Sequence, residues 1–421
     1  MLPKIIRSMS LLAAFAVAAI VATPSHAVPA FARQTGKACS TCHFQHYPAL
    51  NAYGQDFKAG GYTDVGKQPL LKGSDLSLPT ILNASLFFKF RYQDTNGKDL
   101  PGTATAASGD WQVPDEFALL FGGRVTENIG FMLEGQLADN TAPFLAGFKM
   151  PAMYKIGESS VKAGVVPYTT DALGASYGFE LLNTGAVRNV RINEHRSETS
   201  AQQYIGTATA ATGAAFVVSH PMFFANISRW TPNHAGDASG QKLSSTYVRV
   251  AVTPSFGDWE LGGGVQSWSG KAKDATGIGI NETKAWALDF QAQGAVGSYP
   301  LGIYLTHANA AGTAAGSTTP NLFNGNPDDK TATTILGEFG FLPGKATLQL
   351  GYRWADTGAL SADNPKDNAW TVGATYQIAQ NVQLQAQHTS RSKGGATMVG
   401  RYAGSDTPGS SLTTFMLSAG F

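Results

Sequence analysis

From residue 79 onward the chain alternates apolar and polar side chains one for one, and that period of two limits what it can fold into. In 81–93, ILNASLFFKFRYQ, six residues share one face: Leu82, Ala84, Leu86, Phe88, Phe90 and Tyr92. Asn83, Ser85, Lys89, Arg91 and Gln93 share the other, with Phe87 the one exception. The same holds for TLQLGYRW (347–354) and twice within AWTVGATYQIAQNVQLQAQ (369–387). Successive side chains of a strand point to opposite faces, so each run has one apolar wall and one polar wall. Aromatic residues gather at the ends of the apolar faces, as they do at membrane interfaces. Charged residues are only 14% of the chain and glycines number 48. Beyond the N-terminus no apolar run reaches the ~20 residues of a spanning helix. Apolar surface spread this thinly over strands predicts an all-β transmembrane barrel.

About sixteen runs can be marked, near 80–93, 115–126, 129–139, 143–156, 159–167, 201–209, 213–229, 244–256, 258–269, 283–296, 299–309, 332–342, 345–356, 368–378, 381–391 and 410–421. Short turns (126–128, 256–258, 296–298, 342–345, 379–381) mostly alternate with long polar loops near 94–114, 168–200, 230–243, 310–331 and 392–409. Outer-membrane barrels have short periplasmic turns, long extracellular loops and an even strand number. With about 16 antiparallel strands both ends of the barrel fall on the periplasmic side. Phe421, on the face of Phe415, Leu417 and Ala419, resembles the terminal aromatic of bacterial outer-membrane barrels. A barrel this wide cannot fill its own lumen, so water or another part of the chain must.

The first 27 residues set the compartment. Lys4 and Arg7 precede LLAAFAVAAIVA, and TPSHA places Ser25 and Ala27 before the cut expected after Ala27. That is a secretory signal peptide. Without Lys4 and Arg7 the 30 Lys and Arg become 28 against 29 Asp and Glu, a balance that gives no support to nucleic-acid binding. The expected organisation is a signal peptide over 1–27, a small helical segment over 28–78 and the barrel over 79–421.

Segment 28–78 does not alternate. It holds the only two cysteines, in KACSTCHFQHYP (37–48). Three readings compete. A disulfide suits an oxidising periplasm but gives His43 no role. A structural zinc site wants four ligands, and only His46 is close. Cys39-Ser40-Thr41-Cys42-His43 is the CxxCH of covalent haem attachment, with Cys39 and Cys42 tethering one haem c and His43 ligating its iron. Haem c is the reading adopted. The sixth ligand stays open. His46, on the same turn as His43, reads better as a hydrogen-bonding or surface residue than as a ligand. Met132 and Met153 share parity with inward polar residues and could supply it, or simply fill lumen space.

The stretch FARQTGKACSTCHFQHYPALNAYGQDFKAGGY (31–62) resembles the fused monohaem cytochrome–porins of the bacterial outer membrane, the iron(II)-oxidising cytochromes of chemolithotrophs. The match runs through Phe31-Ala32-Arg33-Gln34-Thr35-Gly36, Cys39, Cys42, His43, Pro48, Leu50, Gly54, Phe57-Lys58 and Gly61-Tyr62. It covers about 30 residues; beyond them the likeness is one of architecture. The resemblance implies an outer-membrane electron conduit with its cytochrome segment plugging the lumen from the periplasmic side. Extracellular iron(II) would be the donor, one haem c the carrier, and a periplasmic c-type cytochrome the acceptor, which makes the protein an iron(II):cytochrome c oxidoreductase. Arg33, Gln34 and Lys37 could neutralise haem propionates or contact the lumen wall. Gly36, Gly54, Gly60 and Gly61 are expected to permit tight turns.

Other readings remain. The donor could be an outer cytochrome, electrons could run outward, or the segment could gate a diffusion channel by redox state. A soluble periplasmic haem protein disagrees with the alternation. Nothing suggests a hydrolase: neither a GxSxG nor an HExxH is expected, and there is no recognisable phosphate-binding loop. Asp328-Asp329 and Glu194/His195 could ligate iron, but polar loops commonly carry solvated acids. Porin-like barrels are often trimers, yet no interface is visible in these residues beyond the lipid-facing one.

Overall fold

The computed structural model describes residues 30–74, 76–96, 109–138, 144–185, 194–274, 276–360, 365–394 and 410–421. The expected signal peptide lies outside the described residues. Sixteen antiparallel staves close into a barrel. They are β1 (Ala84–Thr95), β2 (Asp110–Arg124), β3 (Gly130–Gln136), β4 (Leu145–Lys149 and Ala152–Lys155), β5 (Lys162–Thr170), β6 (Ala211–His220), β7 (Phe223–Thr231) and β8 (Ser245–Val252 and Ser255–Phe256). Then follow β9 (Trp259–Lys273), β10 (Ile280–Glu282 and Ala285–Val296), β11 (Tyr299–Ala310), β12 (Lys330–Leu342), β13 (Ala346–Asp356), β14 (Asp367–Ala379), β15 (Val382–Gly394) and β16 (Ser411–Gly420). Pro151 interrupts β4 and Pro254 interrupts β8, where proline removes a ladder donor.

The barrel closes where β16 pairs with β1, from Leu412↔Thr95 to Gly420↔Phe87. Phe421 completes that seam, exchanging backbone hydrogen bonds with Leu86 in both directions at 2.7 and 2.9 Å. A closed sheet leaves no unpaired edge, which is the condition for strands to cross a bilayer.

The expected strand count holds, but two of the boundaries behind it do not. Residues 201–209 are no strand. They open with a short helix, Ala201–Ile205, capped by Ser200, whose side chain accepts from Gln203 N, and ended by Gly206 at φ 95°. The run at 213–229 is two strands, β6 and β7, joined at Pro221-Met222. Alternation runs straight through so tight a turn, so periodicity alone merged the pair.

The two walls are sorted inside out. Arg249 and Arg353 are 0% and 1% exposed, while Leu350 and Phe415 are more than half exposed. Phe87, the exception in its strand, points inward and meets Tyr47 edge-on at 6.2 Å. Exposed aromatics form girdles at both ends, with Trp111, Trp354 and Trp370 at one and Tyr299, Tyr376 and Phe421 at the other.

The lumen is occupied by the chain itself. The described parts of the connection from β5 to β6, residues 171–185 and 194–210, turn inward, so that Tyr177, Phe179, Leu181, Leu182 and Ile205 are buried against Val166, Phe224, Trp230 and Tyr247 of the wall. Three lumen arginines each bind one carboxylate from the wall and one from this loop. Arg249 Nη2 lies 2.9 Å from Asp289 of β10 and its Nε 2.9 Å from Glu180 of the loop. Arg91 Nη2 lies 2.7 Å from Asp115 and 2.9 Å from Glu194. Arg353 pairs with Asp367 at 2.9 Å and Glu198 at 3.3 Å. The second filling is the N-terminal segment, described below.

A charge on the lipid face costs about 2–4 kcal/mol near mid-membrane. Leu350→Arg is expected to destabilise the refolded barrel by about that much in a denaturant titration in lipid vesicles, without altering lumen contacts.

Candidate functional site

Three short helices form the N-terminal segment: α1 (Ala30–Thr35), α2 (Cys39–Cys42) and α3 (Ala52–Ala59). A small hairpin, Leu70–Lys72 with Ser77–Pro79, leads from it into β1. Five polar contacts hold the segment to the barrel end that carries the short turns. Arg33 donates to Ala84 O at the start of β1. Cys39 N donates to Gln380 Oε1 in the turn after β14 at 3.1 Å. Tyr47 bonds Ser418 near the end of β16 at 2.6 Å, Ala52 N donates to Glu260 Oε2 at 2.9 Å, and Asp56 pairs with Lys162 at 3.1 Å. Because both ends of the strand succession meet at this end, the segment enters the lumen directly from its link to β1.

The one turn of α2 brings Cys39, Cys42 and His43 together. Both cysteines are free and half-buried, so the structure contains no Cys39–Cys42 disulfide. Burial pushes both thiols up. His43 Nδ1 lies 3.2 Å from Ala49 O. Burial pushes its titration down to about 4, which keeps the ring neutral, the form that binds metals. With Nδ1 committed to a carbonyl, Nε2 is the ring nitrogen left for a metal, the arrangement that orients histidine ligands. Gly54 fits α3 against this turn: a Cβ there would come within 2.2 Å of Cys42 O. Gly61 sits at φ 73° after α3. Gly60 needs no such freedom; at φ −76° it is an ordinary C-cap.

The donor set fits a haem c. Two unbonded sulfurs and a neutral imidazole lie within one turn, half-buried beside a wall that leaves polar atoms unpaired. Buried Gln383 Nε2, Gln385 Oε1 and Glu338 Oε2 have no hydrogen-bond partner. Gln383 stands across from Ser418, the partner of Tyr47.

Several expected residues have other work. Gln34 is wholly consumed: its Nε2 donates to Tyr62 O and Asp64 O, both at 2.7 Å, and its Oε1 accepts from Asn83 and from Arg124 N. It is a wall contact, with no atom left for a propionate. Lys37 lies over the Tyr53 ring at 4.7 Å. His46 is neither a surface residue nor placed as a ligand: its Nε2 meets Glu338 Oε1 of β12 at 2.6 Å with both side chains fully buried. Thr347 and Gln349 donate to the same oxygen.

Met132, across from Gly122 and Lys149, and Met153, across from Gly164, both sit on the lumen side. Their surroundings are the Phe31–Tyr62 flank of the segment: Gly122 abuts Phe31, and Gly61 abuts Met153. Neither is brought into contact with His43. A third inward methionine, Met416, lies two residues before Ser418 and 4.0 Å from Arg91 Nη2; its parity in 411–420 is the signal that would have found it. Nothing in the sequence marked Gln380, Ser418 or Asn183 as partners of the segment, because those contacts exist only once the barrel closes.

The loop acids are structural. Glu194 is tied to Arg91 and Arg196, and buried His195 bonds Thr389 and Thr414 at 2.6 and 2.8 Å. Asp329 accepts from Asn309 and from Gly312 N. Among the described residues no three His, Cys, Asp or Glu side chains are grouped to hold a metal ion. Gly174–Gly178 does spell GxSxG, but Ser176 sits in a 3-10 turn with its hydroxyl toward Leu173 O, not on the strand-to-helix elbow of a hydrolase nucleophile.

The Glu338 carboxylate raises the titration of His46 against the burial that opposes it. A raised value means that the imidazolium contributes fully below the ordinary 6.5 and that the contribution is lost as pH climbs through the folded value. The segment should therefore resist urea-assisted proteolysis best below the ordinary 6.5 and progressively less as pH rises above the raised value of His46. His46→Leu is expected to remove that dependence and to weaken docking by about 3–5 kcal/mol, the cost of stranding one member of a buried pair.

Comparison with known proteins concerns the barrel. Residues 230–395 match a protein-family model described as Gram-negative porin. No curated protein matches the chain. Among solved structures, the chain is similar to an anion-selective porin from Comamonas acidovorans at 14% identity, covering 80% of this chain and 98% of that one, TM-score 0.47. It is also similar to the outer membrane channel DcaP of Acinetobacter baumannii at 11% identity, covering 83% and 99%, TM-score 0.46. A third likeness is to OmpT, an outer membrane protein of Vibrio cholerae, at 13% identity, covering 84% and 99%, TM-score 0.44. The porin likeness in sequence is thus confined to residues 230–395, which lie within the closed barrel.

Proposed function

We propose that this porin-type barrel is a plugged electron conduit. Cys39, Cys42 and His43 would hold one haem c, and the chain would pass electrons from extracellular iron(II) to a periplasmic c-type cytochrome. The observation that carries the reading is the placement of both thiols and the neutral imidazole on one turn, held at the short-turn end of the barrel by contacts to β1, β5, β9, β12 and β16. Short turns face the periplasm in outer-membrane barrels, so the segment would be reachable by a soluble partner from that side.

When bound, the haem supplies a one-electron couple: each iron(II) becomes iron(III), and the electron leaves on the periplasmic partner. The chain's residues do the rest. Cys39 and Cys42 fix the group, and Ala49 O orients His43. The Glu338–His46 pair and Tyr47 hold the turn against the wall. The loop residues 171–185 and 194–210 and the segment itself fill part of the lumen, where they bury Leu182, Ile205 and His46. Iron(II) as the donor is supported by the resemblance over 31–62, and Met132 or Met153 stays a proposed sixth ligand.

A second reading, a porin-like channel shut by its N-terminal segment and opened by redox state, is favoured by the porin match alone. The two differ in what iron(II) does. In an anaerobic stopped-flow experiment on purified protein, iron(II) is expected to reduce one haem per chain, with the signal lost in Cys39→Ala/Cys42→Ala. A haem reduced only by another donor would change the substrate and keep the conduit. A large single-channel conductance in planar bilayers that follows the oxidation state would favour the gated channel.

A further inference from the structure

We infer that Asn183, in the lumen loop between β5 and β6, is a positioning residue for His43, acting through the backbone of Leu50. The inference rests on the haem reading above.

His43 and Leu50 form an isolated antiparallel bridge. Asn51 N donates to Cys42 O at 3.1 Å and Phe44 N to Ala49 O at 2.9 Å. These bonds flank the bridge, so His43 and Leu50 are a non-hydrogen-bonded pair whose own backbone polar groups point outward. The outward edge of Leu50 would then be bare inside a lumen where an unmet polar group is costly. Asn183 meets both groups: Leu50 N donates to its Oδ1 at 2.8 Å, and its Nδ2 donates to Leu50 O at 2.8 Å. One carboxamide thus stands in for a third strand. The neighbouring Ala49 carbonyl is the acceptor facing His43 Nδ1, so fixing Leu50 fixes the group that orients the ring.

Asn183 is itself held with little freedom. Its N–H donates to Gln291 Oε1 of β10 at 2.7 Å. Before it, Glu180 Oε1 accepts from Leu181 N and Leu182 N at 3.0 and 2.9 Å. After it, Thr184 donates to Asp289 at 2.8 Å and Gln202 donates to Thr184 O at 2.7 Å. Glu180 and Asp289 share Arg249, whose side chain is fully buried. The clamp on Leu50 is therefore referred to the barrel wall and not to a loose loop. A histidine ligand donates more strongly to its metal when its other N–H is well hydrogen-bonded. Slackening this turn should therefore raise the haem potential.

The test uses the full chain purified from outer membranes, as wild type, Asn183→Leu and Asn183→Asp. Two quantities are read: residue-resolved hydrogen exchange at the Leu50 amide, which needs no haem, and the haem midpoint potential. Asn183→Leu is expected to speed Leu50 exchange by about tenfold or more and to move the potential upward at unchanged haem content. Asn183→Asp, which keeps the acceptor for Leu50 N and loses the donor for Leu50 O, should lie between, and it carries the test alone if the leucine variant does not assemble. Unchanged exchange would overturn the inference. So would faster exchange with an unmoved potential, the pattern of a latch that merely retains the segment. Wild type without haem would instead remove the reading on which the inference rests.

Discussion

A polar wall facing inward has to be satisfied, and the interior follows from that requirement. Strands that turn apolar residues to lipid must turn Arg91, Arg249, Arg353 and Glu338 toward the lumen, and in a wide barrel these cannot reach one another across it. The wall supplies each arginine with one carboxylate. The loop 171–210 supplies the second, through Glu194, Glu180 and Glu198. Glu338 finds its cation in His46 of the N-terminal segment. Buried charges persist where they are paired and hydrogen-bonded, so the same charges that keep the wall polar dictate where both fillings sit. Removing the loop would take one of two carboxylates from three arginines at once, and removing the segment would strand Glu338.

That dependence gives the candidate site its stiffness. The turn bearing Cys39, Cys42 and His43 has too few residues to form a core of its own, and small domains of this size need outside support. Here the support is the barrel: Gln380 at one edge, Ser418 and Glu338 behind it, and Asn183 across Leu50. A redox centre benefits from surroundings that do not rearrange with its charge, and a site held by the barrel wall has that property.

Much of this was legible in the residues, and the limits are physical. Period-two alternation marks strands because it is a local property, so fourteen of the expected runs overlap single staves. It failed at Pro221-Met222, where a turn too short to break the alternation hides a strand end, and at 201–209, where Ser200 and Gly206 cap a helix one turn long. The CxxCH motif was legible because it is a spacing along the chain and needs no fold to be read. For Gln34 and His46 the residues left alternatives open, wall contact or propionate partner and hydrogen-bonding or surface residue, because their partners, Asn83 and Glu338, are 49 and 292 residues away in sequence. The inward fold of 171–185 and 194–210 was hidden for the same reason, since its three acids look like any polar loop until the arginines of three distant strands are brought around them.

Everything proposed for this barrel depends on whether its N-terminal segment carries covalent haem. Intact-mass spectrometry of the chain extracted from outer membranes, paired with its absorption spectrum, tests that most directly. The account predicts a chain heavier by one haem, reverting to the bare polypeptide mass in Cys39→Ala/Cys42→Ala. A bare mass with no haem absorption in chain exported by cells competent in cytochrome c maturation would contradict it and leave a barrel closed by an inert plug.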